Sequence, residues 1–319
     1  MSTRPATTIT TASSVAVIIV TYNSADVIGD CLDSLRAALM GVERAIVIVV
    51  DNHSTDSTCA LVEQHDVSTC LVRLARNDGY AAGINAGVTV ATDAEALLLL
   101  NPDARLAAGS GATLLATLAM ANTGIAVPKI TEPDGSLKHS LRREPTVLRM
   151  WGEALLGGLR AGRFDGFSEI VGRADRYRHP CVVDWASGAV MLVARGCHDA
   201  LGGWDESYFL YSEETDFCLR ARDHGWVVRY TPDASAMHIG GHGERTPLRS
   251  LMMANRVELF RRWHGGVRTA AYRAGLAIHE MLRAGRGAHY RAAAWTLLLS
   301  RRPVRPRQAQ SLGERVALS

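Results

Sequence analysis

The chain has no C-x-x-C pair, no long unbroken apolar run and neither of the common glycine-rich phosphate signatures. Each absence removes a class of protein. The six cysteines, Cys31, Cys59, Cys70, Cys181, Cys197 and Cys218, are scattered. That spacing suits reduced thiols packed as small core residues better than a disulfide framework or a zinc site. G-x-G-x-x-G and G-x-x-x-x-G-K-[ST] do not occur, which argues against a dinucleotide-dependent dehydrogenase and a P-loop NTPase. The uncharged stretches 106–127 and 292–300 are broken by Gly and Thr or too short to cross a bilayer. Residues 1–14 read as a loose Ser/Thr/Ala-rich leader, and the Val15–Val20 run after them is too short for a signal-peptide core. A cytoplasmic protein is expected, with peripheral attachment at the inner face of the cell membrane as a variant of that reading.

Apolar residues at 47% and charged residues at 21% are ordinary for a soluble globular chain. The 319 residues suffice for one large domain or two modest ones. The net charge of +3 conceals an asymmetry. Residues 255–319 hold 13 Arg, 3 Glu and neither Lys nor Asp (+10), while the preceding 254 hold 22 basic and 29 acidic side chains (−7). A basic tail on an acidic body points to an anionic membrane surface as partner. An Arg-rich solvated helix pair or a homo-oligomer contact suits it equally. The acidic body argues against nucleic acid.

"VAVIIV" (15–20) and "AIVIVV" (45–50) are β-branched runs of the kind buried on both faces of a parallel sheet. A weaker strand covers 69–74, and "ALLLL" (96–100) is a fourth. Helical patterns lie between them, and Ser54 or Asp56 can cap the second. Strand and helix alternating in units of about thirty residues predict a mainly parallel sheet, whose ligands sit beyond the carboxyl ends of the strands. Thr21, Asn23, Asp51, Asn77 and Asp103 all fall there. Further on, a helix is expected over 146–159, an Arg/Gly-rich loop over 160–180 and one or two strands over 182–193. A helix that Ser212 caps and Gly225 ends comes next, then short strands in "WVVRYTP" and "SAMHIGG". From about Leu248 the chain is Arg/Ala-rich and helical.

Asp103 leaves the sheet after Pro102, which removes a ladder donor. It can ligate a hard cation or simply complete an Asn-Pro-Asp turn. Asp51 can accept hydrogen bonds from a ribose or base, or cap a helix with Asp56. "SEETDF" puts Glu213, Glu214 and Asp216 in the first turn of a helix, where negative charge is stabilising without any function. A carboxylate at that rim can also take a proton from a hydroxyl nucleophile. His238 and His242 are spaced as a zinc pair, but "IGG" between them is not helical. His238 suits Mn2+ if Asp103 holds one.

Taken together, "VIIVTYNS", "VVDNHSTD", "RNDGYAAGINAG", "LLLLNPDA", "SGAVMLV", "GGWDESYFLYSEETDFCLR" and "MHIGG" resemble family 2 glycosyltransferases of the GT-A fold, in order and spacing, over residues 14–242. The rhamnosyltransferase-like branch is the nearest. The resemblance implies an α/β GT-A fold, with a Rossmann-like nucleotide-binding sheet flanked by helices. Residues 15–245 would be the catalytic domain (15–128 the nucleotide-sugar half, 129–245 the acceptor half). Residues 246–319 would be a basic helical extension. Thr21, Tyr22, Asn23, Asp51, Asn77, Gly83, Asn101, Ser187, Gly188, Trp204 and Asp205 would line the donor pocket. Asp103, in the place of the family's D-x-D, would bind Mg2+ or Mn2+, with His238 as second ligand. Asn101 replaces the first Asp and removes one charge. Glu214 would be the general base, longer by one methylene than the family's Asp, with Asp216 as competitor.

The implied activity is inverting transfer from a nucleoside-diphosphate sugar to a hydroxyl of a glycan, lipid-linked saccharide or small molecule. dTDP-rhamnose is the first donor considered, and a UDP- or GDP-sugar with a natural-product acceptor the alternative. A sugar-1-phosphate nucleotidyltransferase would need a Gly-rich loop after the first strand, where "TYNSAD" stands. A non-catalytic nucleotide-sugar-binding module would not need Glu214.

Overall fold

The computed structural model describes residues 14–240 and 248–299; the 1–13 leader, His242 and the last twenty residues of the basic tail lie outside the described residues. The β-branched runs become strands. β1 (Ser14–Thr21) is buried at every position, between β2 (Arg44–Asp51) and β4 (Ala96–Leu100), both parallel to it. β3 (Cys70–Arg73) extends the sheet beyond β2. Helices α1 (Ile28–Ala38), α2 (Thr58–Glu63) and α3 (Tyr80–Val90) are the crossovers.

The second half supplies β5 (Ala104–Leu106), α4 (Ser110–Leu118), β6 (Thr123–Thr131) and β7 (Leu141–Arg142), then α5 (Val147–Leu156) and α6 (Gly158–Ala161). β8 (Cys181–Val183), β9 (Trp185–Ala186), β10 (Val190–Ala194), α7 (Arg195–Leu201), α8 (Glu213–Asp223) and β11 (Val227–His238) follow. The sheet order is β3-β2-β1-β4-β10-β6-β11-β5, with β8 also on β11. β10, β5 and β8 run against the other six strands. β7 and β9 form a separate ribbon. Alternation sends Ala16, Ile18 and Val20 into one apolar layer with Ile84, Phe217 and Tyr230. Val15, Val17 and Ile19 enter the other, with Leu32 and Leu114.

Two departures from the sequence reading have clear causes. The segments expected as two short strands around Pro232 are one twelve-residue strand, β11. The pairing of β11 with β6 shifts register between Thr231 and Ser235. That irregularity takes the proline out of the ladder, where its missing N–H costs nothing. The helix expected over 146–159 starts as read, with Thr146 Oγ1 accepting from the Arg149 N–H at 3.2 Å. It breaks at Gly157, whose φ is +84°.

The C-terminal helices α9 (Leu248–His264), α10 (Gly266–Met281) and α11 (Ala288–Leu299) pack on α5, which the family resemblance places in the acceptor half. Met150, Ala154, Met253, Phe260, Tyr272 and Leu276 share one core, in which the Phe260 and Tyr272 rings stack at 4.1 Å. Ionic contacts lock the layer. Arg249 grips Glu280 through Nε (2.6 Å) and a terminal nitrogen (2.8 Å). Glu169 accepts from Arg256 (2.7 Å) and from the Tyr272 hydroxyl (2.8 Å). Among the described residues no helix is long and apolar enough to cross a membrane.

Gly79, at the entry to α3, is fixed by its surroundings. Its φ is +95°, and a Cβ there would stand 2.2 Å from the Phe209 carbonyl oxygen, which accepts the Tyr80 N–H at 2.9 Å. Gly79→Ala is expected to cost about 1–3 kcal/mol from backbone strain alone. The reading is a lower urea midpoint at unchanged slope; an unchanged midpoint would refute it.

Candidate active site

The carboxyl edge of the sheet carries three groups of side chains. The first joins the loops after β1 and β2. Asp51, 3% exposed, accepts from the Thr21 hydroxyl (3.0 Å) and from the Ser54 N–H (2.9 Å) and hydroxyl (2.5 Å). The Asn23 N–H donates to Ser54 Oγ, and Asn23 Oδ1 accepts from the Thr55 N–H, each at 2.8 Å. Asn23 holds φ +49° to do so. Asp56, not Asp51, serves α2, accepting from the Thr58 N–H at 3.0 Å. Asn77 Oδ1 closes the turn before α3 by accepting from the Gly79 N–H at 3.0 Å. Tyr22 lies half-buried in the same loop.

The second group is "NPDA". β4 ends at Leu100, and the Ala104 N–H returns to the Asn101 carbonyl at 3.0 Å, so Pro102 and Asp103 form a tight turn. β5 then pairs antiparallel with β11, register His238 opposite Ala104. That ladder brings His238 Nε2 to 3.1 Å from Asp103 Oδ1. The Gly240 N–H donates to Asp103 Oδ2 at 3.0 Å. Burial pushes the Asp103 carboxyl up, but His238 and the Gly240 N–H prevail and hold it below its ordinary value. His238 Nδ1 is buried without a partner. Asn101 Oδ1 accepts from the Tyr80 hydroxyl at 2.9 Å.

The third group is the start of α8. Ser212 occupies the N-cap position at φ +76°, and its side chain makes no capping bond, contrary to the sequence expectation. Its carbonyl accepts the Asp216 N–H at 2.9 Å. Asp216 is bound by Arg220 Nε at 2.7 Å, and Arg220 is anchored further on the Leu201 and Gly203 carbonyls. Glu213 and Glu214 each have one buried carboxylate oxygen without a hydrogen-bond partner. Burial pushes both carboxyls up, and the Glu214 charge pushes Glu213 further; Arg142 partly offsets the effect on Glu214. Gly188 makes the room, since a Cβ there would stand 3.2 Å from Glu214 Cβ. The neighbouring Ser187 N–H donates to the Ser140 carbonyl at 3.0 Å.

The structure therefore gathers Asn101, Asp103 and His238 at one edge position and Thr21, Asn23 and Asp51 at another, and it sets Gly188 against Glu214. Gly83 and Trp204 are engaged in packing: a Cβ on Gly83 would meet Val20 at 2.5 Å, and Trp204 stacks on Phe217 at 4.3 Å. Asp205 accepts from the Ser207 N–H at 2.8 Å and pairs with Arg262. Three polar residues escaped the sequence reading. Tyr80 follows Gly79 within "RNDGYAAGINAG", and Asn52, with Oδ1 buried and unpartnered, sits in "DNHSTD". Arg142, 5.7 Å above the Trp185 ring, carried no motif. Among the described residues no three His, Cys, Asp or Glu side chains form a ready metal cluster.

The mixed sheet, with polar side chains gathered beyond its strand ends, is a GT-A fold. The chain matches "Glycosyl transferase family 2" over residues 16–170 and "Glycosyl transferase family group 2" over 161–305. It belongs to glycosyl transferase family 2 and is a hexosyltransferase. It is 31% identical over 239 residues to N-acetylglucosaminyl-diphospho-decaprenol L-rhamnosyltransferase of Mycobacterium tuberculosis, covering 71% of this chain and 76% of that one. A hexosyltransferase of low-salt glycan biosynthesis from Haloferax volcanii is 29% identical over 227 residues, covering 70% of this chain and 66% of that one. Among solved structures, the mannosyltransferase PcManGT from Pyrobaculum calidifontis with GDP-Man and Mn2+ superposes at TM-score 0.53 and 18% identity, covering 90% of this chain and 88% of that one. GalNAc-T7 with UDP, GalNAc and Mn2+ superposes at TM-score 0.59 and 15% identity, covering 90% and 56%.

Proposed function

We propose that the protein transfers rhamnose from dTDP-rhamnose, with inversion, to a hydroxyl of a lipid-linked saccharide at the cytoplasmic membrane face. Asp103 and His238 would ligate Mg2+ or Mn2+ on the donor diphosphate, and Glu214 would act as general base. The observation that carries the reading is the placement of the Asp103–His238 pair at the strand ends of a family 2 fold that also buries an unpaired Glu214. The rhamnosyltransferase relative supports the donor and the acceptor class.

The residues fit a divalent cation. Asp103 offers a carboxylate oxygen and His238 an imidazole, a mixed set that suits Mn2+ or Mg2+. Two protein ligands do not complete a coordination shell, so diphosphate oxygens and water must supply the rest. When bound, the cation neutralises charge on the leaving diphosphate. Thr21, Asn23 and Asp51 present the loops against which the nucleoside lies, and Asn52 Oδ1 offers a free acceptor there. Glu214 takes the proton from the acceptor hydroxyl, whose oxygen bonds to the anomeric carbon as the bond to the diphosphate breaks. Arg220 holds Asp216, whereas Glu214 keeps a carboxylate oxygen without a partner, and this supports Glu214 over Asp216 as the base.

A thermal-shift screen of nucleotide sugars with Mg2+ or Mn2+ tests the donor: dTDP-rhamnose is expected to give the largest shift. Asp103→Ala should weaken cation-dependent donor binding about 10- to 100-fold, the loss of one contact to a charged group. A larger shift with a UDP- or GDP-sugar reassigns the donor. Donor affinity indifferent to EDTA and to Asp103→Ala removes the metal assignment.

A further inference from the structure

Helix α11 is apolar on both sides. Its inward residues Ala293, Ala294 and Leu297 are buried. Its outward side carries Ala292, Trp295, Leu298 and Leu299, which helical spacing places on one stripe. Trp295 is 61% exposed, Leu298 53% and Leu299 71%. A helix on the surface of a water-soluble domain ordinarily turns charge outward, and one that is apolar all round faces another apolar medium.

The charge around the stripe identifies that medium. From Met281 to Gly313 the sequence holds seven arginines and no Asp or Glu. Arg283, Arg286 and Arg291 precede the stripe, and Arg301, Arg302, Arg305 and Arg307 follow it in the chain. Arg283 and Arg291 donate to the His279 and Ala284 carbonyls. Among the described residues none of Arg283, Arg286 and Arg291 has a carboxylate at ion-pair distance, although ion pairs are plentiful elsewhere in the helical layer.

We propose that the outward face of α11, together with Arg283, Arg286 and Arg291, is a docking surface for an anionic lipid leaflet. Trp295, Leu298 and Leu299 enter the headgroup–acyl boundary and the arginines meet lipid phosphates. A second copy of the chain is the poorer occupant, because a two-fold contact through this stripe would bring two acid-free, arginine-rich segments together. The lipid-linked-acceptor reading gives this surface its purpose, since such an acceptor is presented at that boundary; it supplies none of the structural support.

The test is flotation of the full chain with phosphatidylcholine vesicles, with and without phosphatidylglycerol, and with no sugar substrate present. The protein should float with the anionic vesicles and stay down with the neutral ones. A Trp295→Ser/Leu298→Ser/Leu299→Ser variant and an Arg283→Gln/Arg286→Gln/Arg291→Gln variant should each weaken binding about 10-fold or more. Five of the six side chains are exposed and Arg283 is half-buried, so unfolding temperature and transfer to a water-soluble acceptor should be retained. Wild-type binding that ignores lipid charge, or a Ser variant that floats like wild type, overturns the proposal. So does a dimer in sedimentation that the Ser variant dissolves while its vesicle binding persists. A different donor or acceptor would overturn the function proposed above and leave flotation unchanged.

Discussion

Glu214→Gln is expected to lower glycosyl transfer by about 10²- to 10⁴-fold, the range of a lost general base, while donor affinity stays within a few-fold. Gln preserves the shape that Gly188 accommodates and removes only the ability to take a proton. The pH dependence follows from two adjacent carboxyls buried together. Both are raised by burial, and Glu213 is raised further by Glu214's charge. The two carboxyls therefore titrate as a pair, with the loss of one proton disfavouring loss of the other. The base works only when ionised, so activity should rise with pH along a limb above the ordinary Glu value of about 4.3. Glu213→Gln, which imitates the protonated neighbour, should keep most of the activity and leave that limb in place. Near-normal turnover in Glu214→Gln would move the base elsewhere, and loss in Glu213→Gln alone would exchange the two roles.

The largest stability effect is expected at Glu280, which is fully buried against Arg249. Glu280→Gln leaves a guanidinium that is itself nearly buried without a countercharge, facing a neutral amide and the Tyr290 ring at 4.2 Å. Removing one partner of a buried ion pair costs about 3–5 kcal/mol, since the remaining charge is uncompensated. Arg249→Met/Glu280→Leu together should recover most of that loss. Burial disfavours the Glu280 carboxylate, but His279 and Arg249 outweigh it and hold the group below its ordinary value. A lowered carboxyl contributes stability that is present above its unfolded value and lost as pH falls through the folded one. The wild type should lose this contribution in acid, whereas the variant has none to lose. A urea-derived difference below about 1 kcal/mol would place the pair among exposed ion pairs.

Much of the first half was legible because buried parallel strands write themselves as unbroken β-branched runs. "VAVIIV", "AIVIVV" and "ALLLL" became β1, β2 and β4, and the polar residues after them fell at one sheet edge. The second half was less so. β5 is three residues long and recognisable only through its pairing with β11, a contact without local signature. β11 was split on paper by Pro232, since a register shift cannot be read from composition. The carboxylates of "SEETDF" were visible as a group. That Asp216 is ion-paired while Glu214 is not depends on Arg220, a tertiary arrangement anchored on the Leu201 and Gly203 carbonyls. Tyr80 and Arg142 gain their positions from segments distant in the chain and had no pattern to betray them.

The β5–β11 ladder also sets a timetable. Asn101 and His238 are 137 residues apart in the chain, and closing so long a loop is slow compared with local helix formation. During synthesis the loops after β1 and β2 can therefore assemble well before the acid–imidazole pair exists. A nascent chain would order the Thr21–Asp51 contacts first and the Asp103–His238 contact last.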